Sequence, residues 1–437
     1  MNSDEIKRLC LEHTLFSWSA TSRIDPLVAV RGEGPFFWDA DGHRYFDLSG
    51  QMLSMHLGFG HPRILGAMQE AASKLTFAAP SMATEARARL GHRLAELFVN
   101  DVECFFFTLG GADAMENAIR IARAATGRHK ILSRHRSYHG ATPGSLAASG
   151  DPRRNRWPEP PGFVRVLGPD PFSFRWSEDP DETVRLVLRQ TEEVILHEDP
   201  STIAAMAVEV VMGSNGILRA PRGYFEGLQT ILRKYDILLI CDEVMTGFGR
   251  TGRWFAFEHE ALNPDLVTMA KGLTSSYVPL GAVGMTRRLA DTFEQTPFWS
   301  GMTYNAHPFC LEVALAVIDT IDGEGLVERS QSLGDWLRDR LHALADAHPR
   351  AVAAVRNVGL FGALELKDPR SGEPLGAFGA PPSPAGKRFV AGLRNRGVYA
   401  LLRWNMLLLA PPLNVPQAEL AVALDAVDAE LSSLESA

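Results

Sequence analysis

The sequence has little cysteine and no long hydrophobic run, and each shortage excludes a class of protein. Only four cysteines occur in 437 residues, and they form neither a CxxC pair nor a cluster with histidines. A zinc site or a disulfide framework is therefore not expected, and reduced thiols favour a cytoplasmic location. No apolar stretch approaches the ~20 residues that a membrane span requires, and the charged N-terminus does not resemble a signal peptide.

An excess of basic residues is lacking as well. The 44 Lys and Arg are outnumbered by 52 Asp and Glu, which gives a formal net charge of −8. This balance argues against nucleic acid as the main partner. The composition is otherwise that of a folded globular protein. The length exceeds that of one compact core, so we expect two domains, or a large domain with a smaller one.

Short apolar runs bounded by turn residues alternate with helical patterns through the middle of the chain. This alternation predicts an α/β fold with a mainly parallel sheet. The strand candidates are Cys104–Thr108, Lys130–Ser133, Ile203–Val211, Ile237–Cys241, Leu266–Ala270 and Gly281–Met285. We place a large domain at residues 60–305 and a small α+β domain, built from both chain ends, at residues 1–59 and 306–437. Residues 151–200, rich in Pro, Arg and Asp, are predicted to form a surface insertion.

Lys271 directly follows the strand candidate Leu266–Ala270. The carboxyl ends of parallel strands form the crevice in which open α/β sheets bind ligands. Burial lowers the pKa of a lysine, and the free amine can then form a Schiff base with a carbonyl compound. The alternative is an ordinary lysine whose ammonium group reaches solvent from the end of a strand.

Asp242 and Glu243 end the apolar run Ile237–Cys241, where carboxylates require a partner. The ring nitrogen of pyridoxal 5′-phosphate (PLP) is one such partner. An aspartate beside that nitrogen keeps the ring protonated, so that the ring accepts the electrons released when a bond to the substrate carbon breaks. A helix cap or a metal-binding acid would also account for Asp242.

A strand-to-helix turn at Gly110, Gly111 and Ala112 offers backbone N–H groups to an anion such as a cofactor phosphate, although a purely structural turn fits equally. The turn lacks the glycine patterns of dinucleotide-binding and P-loop proteins, which disfavours a nucleotide-binding enzyme. Tyr138, followed by His139, comes after another strand candidate. Its ring would either stack on a cofactor or pack in the core.

Together these segments resemble the class III aminotransferases, which are PLP enzymes of fold type I, over nearly the whole chain. The stretch from Asp242 to Gly252 is similar to that family's signature. Further similarities are Tyr138-His-Gly, Ala270-Lys-Gly, Pro279-Leu-Gly-Ala, Thr303-Tyr-Asn-Ala-His-Pro and Ala410-Pro-Pro-Leu. The chain departs from the family pattern at four positions: Ala112 replaces a usual Ser or Thr, Asp113 a Glu, Val210 a Pro and Ala306 a common Gly.

The resemblance implies that Lys271 holds PLP as a Schiff base and that Asp242 pairs with the ring nitrogen, with Val244 and Tyr138 on the two ring faces. It also implies a homodimer with shared active sites, in which Thr303 reaches the phosphate of the neighbouring subunit's cofactor. No metal is expected. The implied cofactor site comprises Gly110, Gly111, Ala112, Tyr138, His139, Glu209, Asp242, Val244, Lys271 and Thr303.

The reaction implied by the family is ping-pong transfer of an amino group from an amine or ω-amino acid to a 2-oxo acid such as pyruvate. The segments around His13 and Asp47 resemble the taurine–pyruvate branch, in which Trp18, Met52 and Leu53 would line the substrate pocket. A tryptophan at this point is also compatible with ordinary core packing.

Arg403 lies shortly before the Pro-Pro-Leu element, where relatives that act on ω-amino acids have a mobile arginine. The resemblance implies that Arg403 binds the α-carboxylate of the 2-oxo acid and pairs with Glu209 when no carboxylate is present. The alternative is a surface arginine near a loop.

Other reactions remain open at the level of sequence. An aminomutase, a racemase or a decarboxylase would use the same lysine and aspartate and differ in which substrate bond is cleaved. A PLP-fold protein that has lost catalysis is a further alternative, but the presence of both Lys271 and Asp242 argues against it.

Overall fold

The computed structural model describes residues 1–170, 172 and 174–436, and a seven-stranded sheet lies at the centre of this described chain. In spatial order its strands are Val102–Thr108, Gly281–Thr286, Leu266–Met269, Leu238–Asp242, Ile203–Val208, Lys130–Arg134 and Phe163–Val166. Within this sheet, Gly281–Thr286 runs antiparallel to both neighbours, and the other pairs are parallel. The predicted α/β class with a mainly parallel sheet is confirmed.

The two ends of the chain meet in a smaller sheet. Val398–Tyr399 runs parallel to Arg44–Asp47, so that Val398 lies opposite Phe46. The strands of this sheet are Ala29–Glu33, Phe36–Asp39, Arg44–Asp47 and Val398–Tyr399. A second small sheet contains Val352–Val358, Phe361–Leu366, Met406–Leu409 and Leu401–Arg403, and a two-stranded one contains Val211–Met212 and Leu218–Arg219. This pairing agrees with a part built from both chain ends, while the domain boundaries themselves stay a prediction.

Helices cover both faces of the central sheet, which is why Ile203–Val208 and Leu238–Asp242 are buried at every position. The α-helices are Ser3–His13, Gly50–Leu53, Pro62–Lys74, Glu85–Leu97, Gly111–Thr126, Pro143–Ala147, Pro180–His197, Tyr224–Lys234, Arg287–Ala290, Pro308–Gly323, Leu326–Ala347, Pro384–Asn395 and Gln417–Ser436. Short 3-10 helices are Thr21–Arg23, Pro152–Arg156, Pro200–Thr202, Ala256–Glu260, Lys271–Leu273 and Asp291–Phe293. None of the described helices combines the length and apolar character that a membrane crossing requires.

The prediction that residues 151–200 form a surface insertion is wrong for much of the segment. Phe163–Val166 pairs in parallel with Lys130–Arg134 and forms one edge of the central sheet. Pro180–His197 is a helix of 18 residues whose N-cap is Asp179. Helix signals were present in the sequence, since an aspartate N-cap before a proline at the first helical position is a known start.

The carboxyl ends of three adjacent strands place the chemically important residues side by side. Glu209 follows Ile203–Val208, Asp242 ends Leu238–Asp242, and Lys271 comes two residues after Leu266–Met269. The predicted strand Ile203–Val211 was three residues too long, because the strand stops at Val208. That earlier end places Glu209 at the rim of the sheet, where parallel sheets bind ligands.

Candidate active site

Lys271 lies in a cavity of about 400 Å³ at the carboxyl ends of the central strands. Its backbone is left-handed, with φ of +44°, a conformation that costs a non-glycine residue about 1–2 kcal/mol. Burial lowers the pKa of the Lys271 ammonium to about 8, although the negative charges of Asp242 and Glu209 oppose this shift. A partly buried lysine with such a pKa supplies a free amine for attack on an aldehyde.

Asp242 lines the same cavity and is 5% exposed. Its Oδ2 lies 2.7 Å from Nδ1 of His139. Its Oδ1 accepts hydrogen bonds from the hydroxyl of Thr268 and the backbone N–H of Val244, both at 3.1 Å. These contacts fix the carboxylate in orientation and leave it at the cavity wall, where a protonated ring nitrogen would find a counter-ion.

Glu209 is a second buried carboxylate at the cavity. It accepts hydrogen bonds from the backbone N–H groups of Tyr138, at 2.8 Å, and Gly213, at 2.9 Å. Burial raises the pKa of the Glu209 carboxyl, with the neighbouring Asp242 adding to the shift and His139 opposing it. Glu209 therefore holds the Tyr138 segment in place against the strand end.

The turn at Gly110 and Gly111 lines the cavity and begins the helix Gly111–Thr126. A Cβ atom at Gly111 would lie 2.7 Å from Cγ1 of Val244, so that only glycine fits against this side chain. No side chain in the described chain caps this helix. Its first backbone N–H groups, including that of Ala112, are thus available to an anion such as a phosphate.

Glu116 was missed by the sequence analysis although it organises the segment after Tyr138. Its Oε2 accepts hydrogen bonds from the hydroxyl of Thr142, at 2.6 Å, and from the backbone N–H groups of Gly144, at 3.0 Å, and Ser145, at 3.1 Å. Thr142 before Pro143 is a helix-start signal, but no local pattern indicates that a glutamate from another helix binds this start.

The aromatic and aliphatic walls of the cavity are Tyr138 and Val244, both of which line it. The guanidinium carbon of Arg153 lies 3.4 Å from the centroid of the Tyr138 ring. This cation–π contact was not anticipated from the sequence. It occupies one face of Tyr138 and brings a positive charge to the edge of the site.

The three substrate contacts predicted near the N-terminus lie in three different environments in the structure. Met52 lines the cavity. Leu53 is 3% exposed, belongs to the hydrophobic core and does not line the cavity. Gln51 and Leu53 adopt left-handed backbone angles, so that successive side chains in this segment point in different directions. Trp18 is 65% exposed and lies outside the cavity, although Arg153 approaches its ring to 5.0 Å. Core packing, the alternative reading of Trp18, does not apply.

Thr303 is exposed and does not line the cavity of its own chain. Asn117, buried in the helix Gly111–Thr126, accepts a hydrogen bond from the hydroxyl of Ser300 at 2.5 Å and approaches the sulfur of Met302 at 3.7 Å. These contacts anchor the segment that carries Thr303. Its predicted role toward a neighbouring subunit stays a prediction.

The predicted resting pair of Arg403 and Glu209 is not found. Arg403 instead forms an ion pair with Asp151, with Nη2 lying 2.6 Å from Oδ2. The Glu209 side chain is already occupied by the N–H groups of Tyr138 and Gly213. The alternative reading, a surface arginine near a loop, also fails, because burial lowers the pKa of Arg403 and its side chain is only 20% exposed.

The residues around the cavity fit PLP. Lys271 would provide the amine, Asp242 the counter-ion of the ring nitrogen and the start of the helix Gly111–Thr126 the phosphate donors. Val244 and Tyr138 line the same cavity. Within the described residues, the one metal-like cluster, Asp39, Asp41 and His43, lies on the N-terminal sheet away from this cavity.

Comparison with known proteins identifies the family. The model of the family "Aminotransferase class-III" matches residues 19–431. The chain belongs to the class III aminotransferases. It is 34% identical over 380 residues to hypotaurine/taurine–pyruvate aminotransferase of Paracoccus denitrificans, covering 83% of this chain and 82% of that one. It is 33% identical over 432 residues to taurine–pyruvate aminotransferase of Rhodobacter capsulatus, covering 94% and 92%.

Solved structures support the same assignment. The taurine:2-oxoglutarate aminotransferase of Bifidobacterium kashiwanohense, in complex with PLP and glutamate, superposes with a TM-score of 0.95 at 33% identity, covering 100% of this chain and 99% of that chain. An (S)-enantioselective omega-transaminase of Thermomicrobium roseum gives a TM-score of 0.93 at 36% identity, covering 99% of each chain.

This class III aminotransferase is therefore a PLP-dependent enzyme that transfers an amino group to a 2-oxo acid by a ping-pong mechanism. The predicted fold type, cofactor and reaction type are confirmed. The aminomutase, racemase, decarboxylase and non-catalytic alternatives are not favoured, since the relatives named above are aminotransferases or transaminases.

Proposed function

We propose that this aminotransferase takes its amino group from an ω-amino acid of the taurine or β-alanine kind and passes it to a small 2-oxo acid such as pyruvate. The observation that carries this proposal is the pair of guanidinium groups, Arg153 and Arg403, beside Tyr138 at the edge of the lysine cavity. Two cations at that position favour substrates that carry an acidic group remote from the reacting carbon. The named taurine aminotransferase relatives support the same class of donor.

The chain's own residues divide the chemistry among them. The bound cofactor supplies the electron sink for the bond that breaks at the substrate carbon. Asp242 would hold the proton on the ring nitrogen, and Nζ of Lys271 would take the proton from the substrate carbon, for which its pKa of about 8 is well matched. Tyr138 and Val244, which line the cavity, would contact the ring, and the first N–H groups of the helix Gly111–Thr126 would bind the phosphate.

We propose further that the enzyme is a homodimer with shared active sites. Trp299 is 87% exposed and Tyr304 is 55% exposed, on either side of Thr303 in the chain. Phe77 lies 6.2 Å from the Tyr304 ring and 5.8 Å from that of His307. Such exposed aromatic surface is typical of a protein interface. The cytoplasmic location expected from the free thiols stays a prediction.

A donor screen tests the proposed substrate class. Purified PLP-loaded enzyme with pyruvate is supplied in turn with taurine, β-alanine, γ-aminobutyrate, a diamine or an α-amino acid other than alanine, and alanine formation is measured. We expect the ω-amino acids to be the best donors, because their acidic group reaches the arginines. Efficient turnover with the α-amino acids and none with ω-amino acids would contradict the proposal.

Arg403→Ala is expected to raise KM for pyruvate by about tenfold or more, since a charge-assisted hydrogen bond to a carboxylate is lost. KM for an uncharged amine such as 1-phenylethylamine should change by less than about twofold, because that amine offers Arg403 no anion. Steady-state kinetics with both substrates measure the split. Equal changes in both KM values would mean that Arg403 does not bind the carboxylate of pyruvate.

A further inference from the structure

Asp151 is a fully buried carboxylate shared by two arginines. Nε of Arg153 donates to Oδ1 at 2.7 Å and Nη2 of Arg153 donates to Oδ2 at 3.1 Å, which is a bidentate pair. Nη2 of Arg403 donates to the same Oδ2 at 2.6 Å. Burial alone would raise the pKa of the Asp151 carboxyl, but the hydrogen bond from Arg153 and the charge of Arg403 outweigh it and hold the pKa below its usual value. Asp151 is thus ionised.

The cluster of Asp151, Arg153 and Arg403 carries one negative and two positive charges. The acid is sealed from solvent, whereas the side chains of Arg153 and Arg403 are 24% and 20% exposed. A second anion would balance this charge and would approach from the side of the arginines. The cluster therefore carries a net positive charge that would attract a second anion.

The cluster lies at the edge of the lysine cavity. Arg153 covers the ring of Tyr138, which lines that cavity, and the charge of Arg153 contributes to lowering the pKa of Lys271. Arg403 ends the strand Leu401–Arg403 and its guanidinium carbon lies 4.2 Å from the centroid of the Trp404 ring. An anion on Arg403 would thus be held near Tyr138, at the edge of the lysine cavity.

Arg403 retains unused donors. Its Nη2 is engaged by Asp151, but its Nε is buried and has no hydrogen-bond partner in the part of the chain that the structure describes. Because an arginine presents its N–H groups as a planar fork, a carboxylate binds it best through two of them. A substrate carboxylate that binds two of these N–H groups competes with Asp151 for the same guanidinium.

We infer that Asp151 is the resting counter-ion of Arg403, in place of Glu209, and that competition between its carboxylate and the substrate anion sets the affinity for the 2-oxo acid. This inference rests on the proposed function. The two acids have different roles: Glu209 positions the Tyr138 segment through backbone N–H groups, and Asp151 holds the arginines. Asp151 is accordingly a specificity-determining residue.

Asp151→Asn is the test, because it removes the negative charge. Asp151 also caps the 3-10 helix Pro152–Arg156 by accepting a hydrogen bond from the backbone N–H of Arg153, and asparagine keeps a side-chain oxygen for this contact. We expect the dissociation constant of propionate, a non-reacting monocarboxylate, to fall by about tenfold in the PLP-loaded variant, as measured by calorimetry. KM for pyruvate should fall in parallel, with KM for an uncharged amine unchanged.

Glu159→Gln is the matched control. Glu159 is also a carboxylate shared by two arginines, Arg154 at 3.1 Å and Arg165 at 2.6 Å, but it lines a separate apolar hollow. Its variant should bind propionate as the unmodified enzyme does. In an Arg403→Ala background, the effect of Asp151→Asn on propionate binding should be much smaller, because only Arg153 then remains of the two guanidinium groups that Asp151 holds.

An unchanged or weaker affinity for propionate in Asp151→Asn would overturn the inference. Asp151→Ser, which also keeps a capping oxygen, gives the same test should the asparagine variant fold poorly. The proposed function fails separately, through the donor screen. An enzyme inactive with ω-amino acids whose propionate affinity still responds to Asp151→Asn would retain the counter-ion role and lose only the proposed donors.

Discussion

Replacing Lys271 by alanine is expected to lower kcat by about 10⁴-fold, because this one amine both anchors the cofactor and moves the substrate proton. The side chain is partly buried at the cavity, and its pKa of about 8 makes the free amine accessible near neutral pH. Among the described residues lining the cavity, Lys271 is the only lysine. No second amine is therefore in place to take over.

Lys271→Arg is the control for this prediction. Arginine keeps a cation of similar length near Asp242 and Glu209 but cannot form the covalent link or give up its proton. We expect the arginine variant to lose activity as fully as the alanine variant while keeping the melting temperature of the unmodified enzyme more closely. Residual activity of a tenth or more in either variant would contradict the assigned role.

Asp242→Asn is expected to lower kcat by about 10²- to 10³-fold, the usual loss when one preorganised electrostatic contact is removed. Asparagine keeps the size of the side chain and an oxygen for the contacts with Thr268 and Val244, but it offers no negative charge to a ring nitrogen. The bound cofactor should then lose its ring proton at lower pH, which an absorbance titration of the holoenzyme detects.

The adjacent Glu243 provides a matched control for Asp242. It is also buried, and burial raises its pKa to about 7, but it accepts hydrogen bonds from the N–H groups of Ala256 and Phe257 and does not line the cavity. Glu243→Gln should lower thermal stability and leave the absorbance of bound cofactor unchanged. Identical spectra and rates for the two variants would mean that Asp242 acts only through folding.

The residues at strand ends were predictable because their signal is local. A buried strand reads as an apolar run, and a charged residue directly after it must lie at the rim of the sheet. Asp242 and Lys271 were found in this way, and the structure brings both to one cavity. Their roles in catalysis stay predictions, supported by the family.

Contacts between distant segments were not predictable from local patterns. Asp151 and Arg403 lie 252 positions apart, and nothing in either neighbourhood indicates the other. The family resemblance pointed to Glu209 as the partner, and only the packed structure shows that backbone N–H groups occupy that acid. The placement of Leu53 at the substrate pocket was not predictable for a related reason, since left-handed backbone angles at Gln51 and Leu53 determine which side chain faces the cavity.

One departure from the family pattern gains a physical meaning from the structure. Ala306, at a position where the family commonly has Gly, adopts a φ of +53° and is buried. Glycine populates this conformation freely, whereas an L-residue there costs about 1–2 kcal/mol. The preference for Gly is thus conformational, and alanine is tolerated at a small cost in stability.

Borohydride reduction of the PLP-loaded enzyme, followed by peptide mass spectrometry, tests the central claim most directly. A covalent link between Nζ of Lys271 and the aldehyde carbon of the cofactor predicts one stable adduct, on the peptide that contains Lys271, with loss of the yellow colour. Reduction that leaves Lys271 unmodified, or that labels another lysine in its place, would contradict the account.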